Sequence, residues 1–357
     1  MGGAVARIAR LVALAALIAL ESCGGVVGHP PAAPSPATST VPTPPSTASP
    51  SAPQTPPAPV TFTGVVTAWP GTLTRFGPGM DMPAVDIEPA GGTETFDGWV
   101  RRPDDPPQAD AITGRIEWWS RDWFHLADGR GWVHSAAVRG LQPAGLEQSP
   151  WTRPASVPGP SAALLDVPLD QQDQPVTCEV ASLKMALEFR GIGADEASLL
   201  ALTGIDDRPP ELGPDGTILR WGDPDQAFDG DPAGHVFDRT GYGVYAAPIA
   251  RAAAAAGATV LAAGTGIAPA AVYSATLAGH PVVAWVTNDY RPGQLGTWRS
   301  WDGADVPYSL TEHAVLVVGV TPAQVLLDDP WWGETWRTRP IFESAYATFD
   351  HMAVVIG

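Results

Sequence analysis

Apolar positions change their period several times along the chain, and those changes divide it. Residues 11–20, LVALAALIAL, are an unbroken apolar run, short for a bilayer span of about 20 residues. Residues 29–60, HPPAAPSPATSTVPTPPSTASPSAPQTPPAPV, have no period. Proline removes donors there and serine and threonine bury little, so a semi-extended tether is expected rather than a core. Between 61 and 145 the apolar segments are short: TFTGVVTAW (61–69), TGRIEWW (113–119), DWFHLAD (122–128) and GWVHSAAV (131–138). They are rich in β-branched and aromatic residues and broken by Gly, Pro and Asp, which predicts a small all-β barrel. Asp128-Gly129 is placed to turn the hairpin WFHLADGRGWVH.

A Pro-rich link, 146–160, precedes a change to helical spacing. In CEVASLKMALEFR (178–190), Val180, Leu183 and Leu187 fall on one face, Thr177 can cap the start and Gly191 can end it. ASLLALTG (197–204), PIARAAAAAGA (248–258) and VYSATLAG (272–279) predict further helices, while LLDVPL (164–169), PVVAWVT (281–287), HAVLVVGV (313–320) and AQVLLDD (323–329) read as strands. Helices first and an antiparallel sheet after predict an α+β domain over 161–357. The Pro-rich link predicts that it and the β barrel fold separately.

Composition narrows the class. The chain has 357 residues, 45% of them hydrophobic, and a formal charge of -18, which disfavours nucleic acid and docking on anionic lipid through a basic patch. Arg7 and Arg10 precede the apolar run and small residues surround Cys23, the layout of an export signal over 1–22. That stretch resembles a bacterial lipoprotein signal, although Glu21 stands where a small or apolar residue is usual. The resemblance implies a lipid on Cys23, a tether over 23–60, and a position on the outer face of the cell membrane or, failing that, secretion. Membrane contact is then expected only through the anchor.

With Cys23 so used, the other cysteine, Cys178, has no disulfide partner. A thiol in the first turn of a helix feels the positive end of the helix dipole, which favours thiolate and suits a nucleophile. The competing reading is an inert buried cysteine. A base is available on the hairpin 313–329: folding it about Thr321-Pro322 pairs His313 with Asp329, Val315 with Leu327 and Val317 with Val325. Period two then sets Asp329 on the His313 face and Asp328 on the other. Gln172, six residues before Cys178, can supply a side-chain amide to an oxyanion, with Gln171 an adjacent alternative. Asp223, Asp225, Asp229 and Asp231 crowd the segment WGDPDQAFDGDPAG (221–234) but do not follow a calcium-loop pattern. A Gly- and Asp-rich surface loop beside the cleft is expected over 221–245, with no metal and no cofactor.

The pieces VPLDQQDQPVTCEVASLKMAL (167–187), WGDPDQAFDGDPAG, TGYGVYAAPIA (240–250), GHPVVAWV (279–286), EHAVLVVGV (312–320) and LLDDP (326–330) occur in one order. In that order they resemble papain-like cysteine peptidases typified by the leader peptidases of bacteriocin transporters, in their stand-alone secreted branch. Thr177 departs from the glycine usual before the cysteine. The resemblance implies Cys178 as nucleophile, His313 as base, Asp329 as the residue that orients it and Gln172 as oxyanion donor, acting on a peptide or protein substrate, cell-wall peptides included. The ending GRGWVHSAAV (129–138) resembles the last strands of bacterial Src-homology-3-like domains. Two other functions fit the same residues: a non-catalytic envelope-binding protein on a peptidase scaffold, and a wall amidase or transpeptidase using the same thiol chemistry.

Overall fold

The short segments after residue 61 pair with one another. In a computed structural model that describes residues 60–140 and 145–357, they form a seven-stranded antiparallel sheet. Its order is Ala84–Pro89, Gly71–Arg75, Trp132–His134, Asp122–Leu126, Thr93–Arg101, Phe62–Val66, Val138–Arg139. The export signal, Cys23 and the tether lie outside the described residues. Phe62, Phe96 and Phe124 meet at centroid distances of 5.0 to 5.5 Å and form the core with Leu126, Val133 and Val138. The hairpin around Asp128-Gly129 is present, with Trp123 opposite His134 and Gly129 at φ 78°. TGRIEWW (113–119) is not a strand. Asp110 Oδ1 accepts the N–H groups of Ile112 and Thr113 and folds the segment into turns, leaving Trp118 exposed.

Among the described residues five α-helices follow: α1 (Cys178–Phe189), α2 (Glu196–Thr203), α3 (Ala246–Ala255), α4 (Pro269–Leu277) and α5 (Arg339–Tyr346). Gly191, at φ 75°, ends α1, with its own N–H on Glu188 O and that of Ile192 on Leu187 O, the paired bonds of a Schellman motif. Thr177 does not cap α1 as expected: its hydroxyl bonds Glu196 Oε2 and Gln174 O instead.

The helices pack on an antiparallel sheet ordered Val260–Gly264, Ala353–Ile356, Val282–Thr287, Glu312–Val320, Gln324–Asp329, Gly333–Thr338. Val283, Trp285, Ala314 and Leu316 enter the core on the side of α1, α2 and α3, while Val282, Ala284, Val315 and Val317 enter the one on the side of α4 and α5. Burial on both faces explains why these strands read as unbroken apolar runs rather than alternating ones. Two small sheets add parallel pairs, Ile218–Trp221 with Gly296–Ser300 and Phe228–Gly230 with Ile205–Asp206. The protein is therefore mixed α/β, with more strand than helix.

Of LLDVPL, only Leu164 is in a strand: Ala163–Leu164 pairs with Val320 and Gly319 at the edge of the second sheet. Just before it, Ser161 gives its N–H to Ala84 O (3.0 Å) and its hydroxyl to Val85 O (2.9 Å) in the first sheet. Ala84, Ile87 and Ala162 share a small core with Leu164 and Trp336. The described residues thereby belong to one compact unit.

Candidate active site

Cys178 opens α1 and is buried against the strand Glu312–Val320. Its Sγ accepts the N–H of Ala314 at 3.3 Å and faces Glu179 Oε2 at 3.5 Å. His313, the neighbour of Ala314, lines the same cavity, of about 250 Å³. Among the described residues no hydrogen bond joins the thiol to the imidazole.

The His313 hairpin differs from the expected register. Leu316 stands opposite Asp328 and Val317 opposite Leu327, but then Gly319 opposes Leu326 and Val320 opposes Val325, so Val318 is an extra residue in its strand. One step beyond Leu316–Asp328 sets Asp329 beside Val315, two residues from the predicted partner. A shift of two keeps the face, so His313 and Asp329 still share a side and Asp328 the other. The imidazole closes the diagonal: Nε2 to Asp329 Oδ1 is 2.8 Å. The same oxygen accepts the N–H groups of Trp331 (2.9 Å) and Trp332 (3.1 Å), and Oδ2 accepts the Tyr290 hydroxyl (2.8 Å). Burial alone would raise Asp329, but His313 and these donors hold it below the ordinary carboxylate value. Asp329 is thus ionised and fully saturated, and with Nε2 engaged His313 keeps Nδ1 as its free nitrogen. Asp328 instead meets Glu334 across the next strand pair, and burial together with that acid raises it to about 8.

Tyr290 escaped the sequence analysis, as did two buried acids. Glu179 and Glu312 each follow or precede a candidate residue, and both point inward beside Cys178. Sγ and one oxygen of each acid lie within 4.8 Å of one another. Burial raises Glu179 to about 7 against the Val244 N–H that its Oε1 accepts at 2.7 Å, while burial and Glu179 raise Glu312 well above its ordinary value. Gly243, at φ 139°, admits the pair, because a Cβ there would collide with Glu179 Oε1. The expectation of a thiolate at the helix start is corrected accordingly. Burial first, then Glu179 and Glu312, push the thiol well up, and the N–H of Ala314 only partly opposes them. The signal was adjacency, Cys-Glu and Glu-His, but charges at a helix start and a strand start ordinarily face water.

Gln172 lines the cavity and Gln171 points to solvent. The Gln172 Nε2 bonds Gln174 O at 2.7 Å, leaving its second amide hydrogen unused. The segment 221–245 is not simply a surface loop: Trp221, Phe228, Asp229 and Tyr242 are buried, and His235, Phe237 and Tyr242 wall the cavity. Among the described residues Asp229 has no partner on either oxygen, and burial, with Asp206 and Asp223, raises it to about 9.

The Bacillus subtilis protein YvpB, itself uncharacterized, is 33% identical over 203 residues, covering 55% of this chain and 76% of its own. A crystal structure of a C39-like peptidase from Bacillus anthracis aligns with TM-score 0.47 and 28% identity, over 55% of this chain and 97% of that one. The model of the Peptidase_C39 like family matches residues 164–354, more than half of the chain and nearly all of the part that holds Cys178, His313 and Asp329. The chain belongs to the Peptidase_C39-like family.

Proposed function

We propose that the protein is an extracytoplasmic cysteine peptidase with a papain-like arrangement of Cys178, His313 and Asp329. The observation that carries this is the 2.8 Å contact of His313 Nε2 with a saturated, ionised Asp329, on the wall of the cavity that Cys178 also lines. Family membership supports the cysteine chemistry. In the reaction, His313 Nδ1 takes the Cys178 proton as Sγ attacks the amide carbonyl, and returns it to the leaving amine. Asp329 holds the ring and stabilises the imidazolium. Gln172 and the Cys178 N–H receive the oxyanion. Water then hydrolyses the thioester.

The first sheet is proposed as a Src-homology-3-like module that accompanies the enzyme, and Cys23 as the lipid anchor outside the cell membrane; the 1–22 signal layout supports the anchor. Detergent partitioning that is lost in Cys23→Ser tests it, and recovery of unmodified wild type only in the medium overturns it. For the enzyme, a peptide fluorophosphonate is the wrong probe; a peptidyl acyloxymethyl ketone is the right one, since it needs both a nucleophilic thiol and a peptide cleft. Labelling of Cys178 that falls strongly in His313→Ala supports the peptidase. Equal labelling in both proteins contradicts it.

A further inference from the structure

The mechanism above leaves the Glu179–Glu312 pair without a task. Two carboxyls beside a nucleophilic thiol oppose its ionisation, and among the described residues neither meets a Lys or Arg. Glu179 is occupied by the Val244 N–H, but Glu312 Oε1 is buried and has no hydrogen-bond partner among the described residues. Glu312 also lines the cavity of Cys178 and His313, whose lining contains no Lys or Arg and is otherwise largely aromatic and apolar, with Phe237, Tyr242, Trp331 and Trp332. A buried carboxyl without a counter-charge is costly to ionise. It becomes inexpensive once a cation is delivered to it.

We propose that Glu312 receives a positive charge on the substrate residue that supplies the scissile carbonyl, an ammonium or guanidinium group. This rests on the peptidase reading and names its substrate class. A carbonyl carbon poised for attack lies about 3–3.5 Å from the nucleophile, and an α-amino nitrogen on the same residue is two bonds from that carbon. That nitrogen is thus within a few ångströms of Sγ, and one Glu312 oxygen lies within 4.8 Å of the same sulfur. A basic side chain is the other source of the cation, and Trp331 and Trp332 on the wall of the same cavity offer aromatic surface to its stem and charge. As the cation binds, one proton leaves the carboxyl pair for solvent, so charge is conserved in the cleft. The net charge beside the thiol is thereby unchanged, and Glu312 gains the counter-charge it lacks in the substrate-free protein.

The subsite is tested without relying on hydrolysis. In the full chain carrying Cys23→Ser, Cys178 is the sole thiol. Its rate of modification is compared for methanethiosulfonates bearing trimethylammonium, neutral and sulfonate heads. The cationic reagent is expected to react about ten-fold or more faster than the anionic one, after correction for their rates with a free thiol, and Glu312→Gln to bring the ratio close to one. A ratio near one in the parent, or an unchanged ratio in Glu312→Gln, overturns the proposal. Should Glu312→Gln not fold, the same ratio in the parent from pH 6 to 9 replaces it: it must grow as the carboxyl ionises, and a flat ratio overturns the subsite. Aminoacyl and peptidyl coumarins then separate the two sources of charge. Faster cleavage of free than of N-acetylated donors assigns the amino terminus, and faster cleavage of acetyl-Lys than acetyl-norleucine donors assigns the side chain. Cleavage with no preference for either cation overturns the proposal while the peptidase stands. A reagent ratio that holds with no peptide cleaved leaves the cation site standing and overturns the peptidase.

Discussion

Asp328 and Asp329 are neighbours in sequence and strangers in space. Period two alone separated them, and it survived an error in register because turn and bulge together displaced the pairing by two residues, an even number. Asp329→Asn is expected to cut turnover by about 10²–10⁴-fold, since it removes the charge that orients His313, while the thiol still alkylates. Tyr290→Phe, which removes one of the donors to Asp329, should cost less, and Asp328→Asn should change turnover little. Steady-state kinetics on the three variants checks the order; loss of turnover in Asp328→Asn alone contradicts it. The acidity around Cys178 was not legible, because Glu179 and Glu312 meet only through the packing of α1 on a strand 133 positions away. Iodoacetamide alkylation of the substrate-free protein should accordingly rise only above the ~8.5 of an ordinary thiol. Glu312→Gln should move that rise to lower pH. A rise at pH 6 in the parent would contradict the reading of the two acids.

At the scale of elements, α1, α2, α3 and α4 were legible where apolar spacing or a terminal glycine marked them. The segment RPIFESAY of α5 hid its face among polar residues, and Gly241–Gly243 has only Tyr242 as a strand former between two glycines: its pairing is imposed by Asp229 and Gly230 across from it. Asx-type bonding, not hydrophobic pattern, decided TGRIEWW. The bulge after Val317 was equally invisible, since it depends on how two strands and the edge pair Ala163–Leu164 crowd together. Gly319 marks the tightest point: a Cβ there would lie 2.8 Å from Leu326 Cβ. Gly319→Ala should cost about 1–3 kcal/mol through overpacking. Urea unfolding with an unchanged slope and a lower midpoint is the expected result, and an unchanged midpoint contradicts the close approach.

Across the whole molecule, the sequence marked a link where the chain in fact joins two sheets, because Pro-rich composition says nothing of what Ser161, Ala162 and Leu164 touch. Residues 161–357 alone should keep the thiol chemistry but melt lower than the full chain, since Leu164 and Trp336 lose the cover of Ala84 and Ile87; equal melting temperatures contradict a shared core. Asp229 adds a pH dependence. Its folded value, about 9, is above the unfolded one, so it favours the fold fully below the unfolded value, near 4, and that contribution is lost as pH rises to about 9. Asp229→Asn should flatten this slope and raise stability at pH 8, as read by melting temperature against pH; an unaltered slope contradicts the burial of an uncharged acid. The central claim is that the intact protein cleaves amide bonds through a thioester on Cys178. Rapid quenching with a peptide library and intact-protein mass spectrometry tests it most directly. An acyl adduct on the peptide that carries Cys178, together with new amino termini in the library, both absent in Cys178→Ala, is the predicted result. New amino termini that persist in Cys178→Ala, or neither adduct nor cleavage by the wild-type chain, would contradict it.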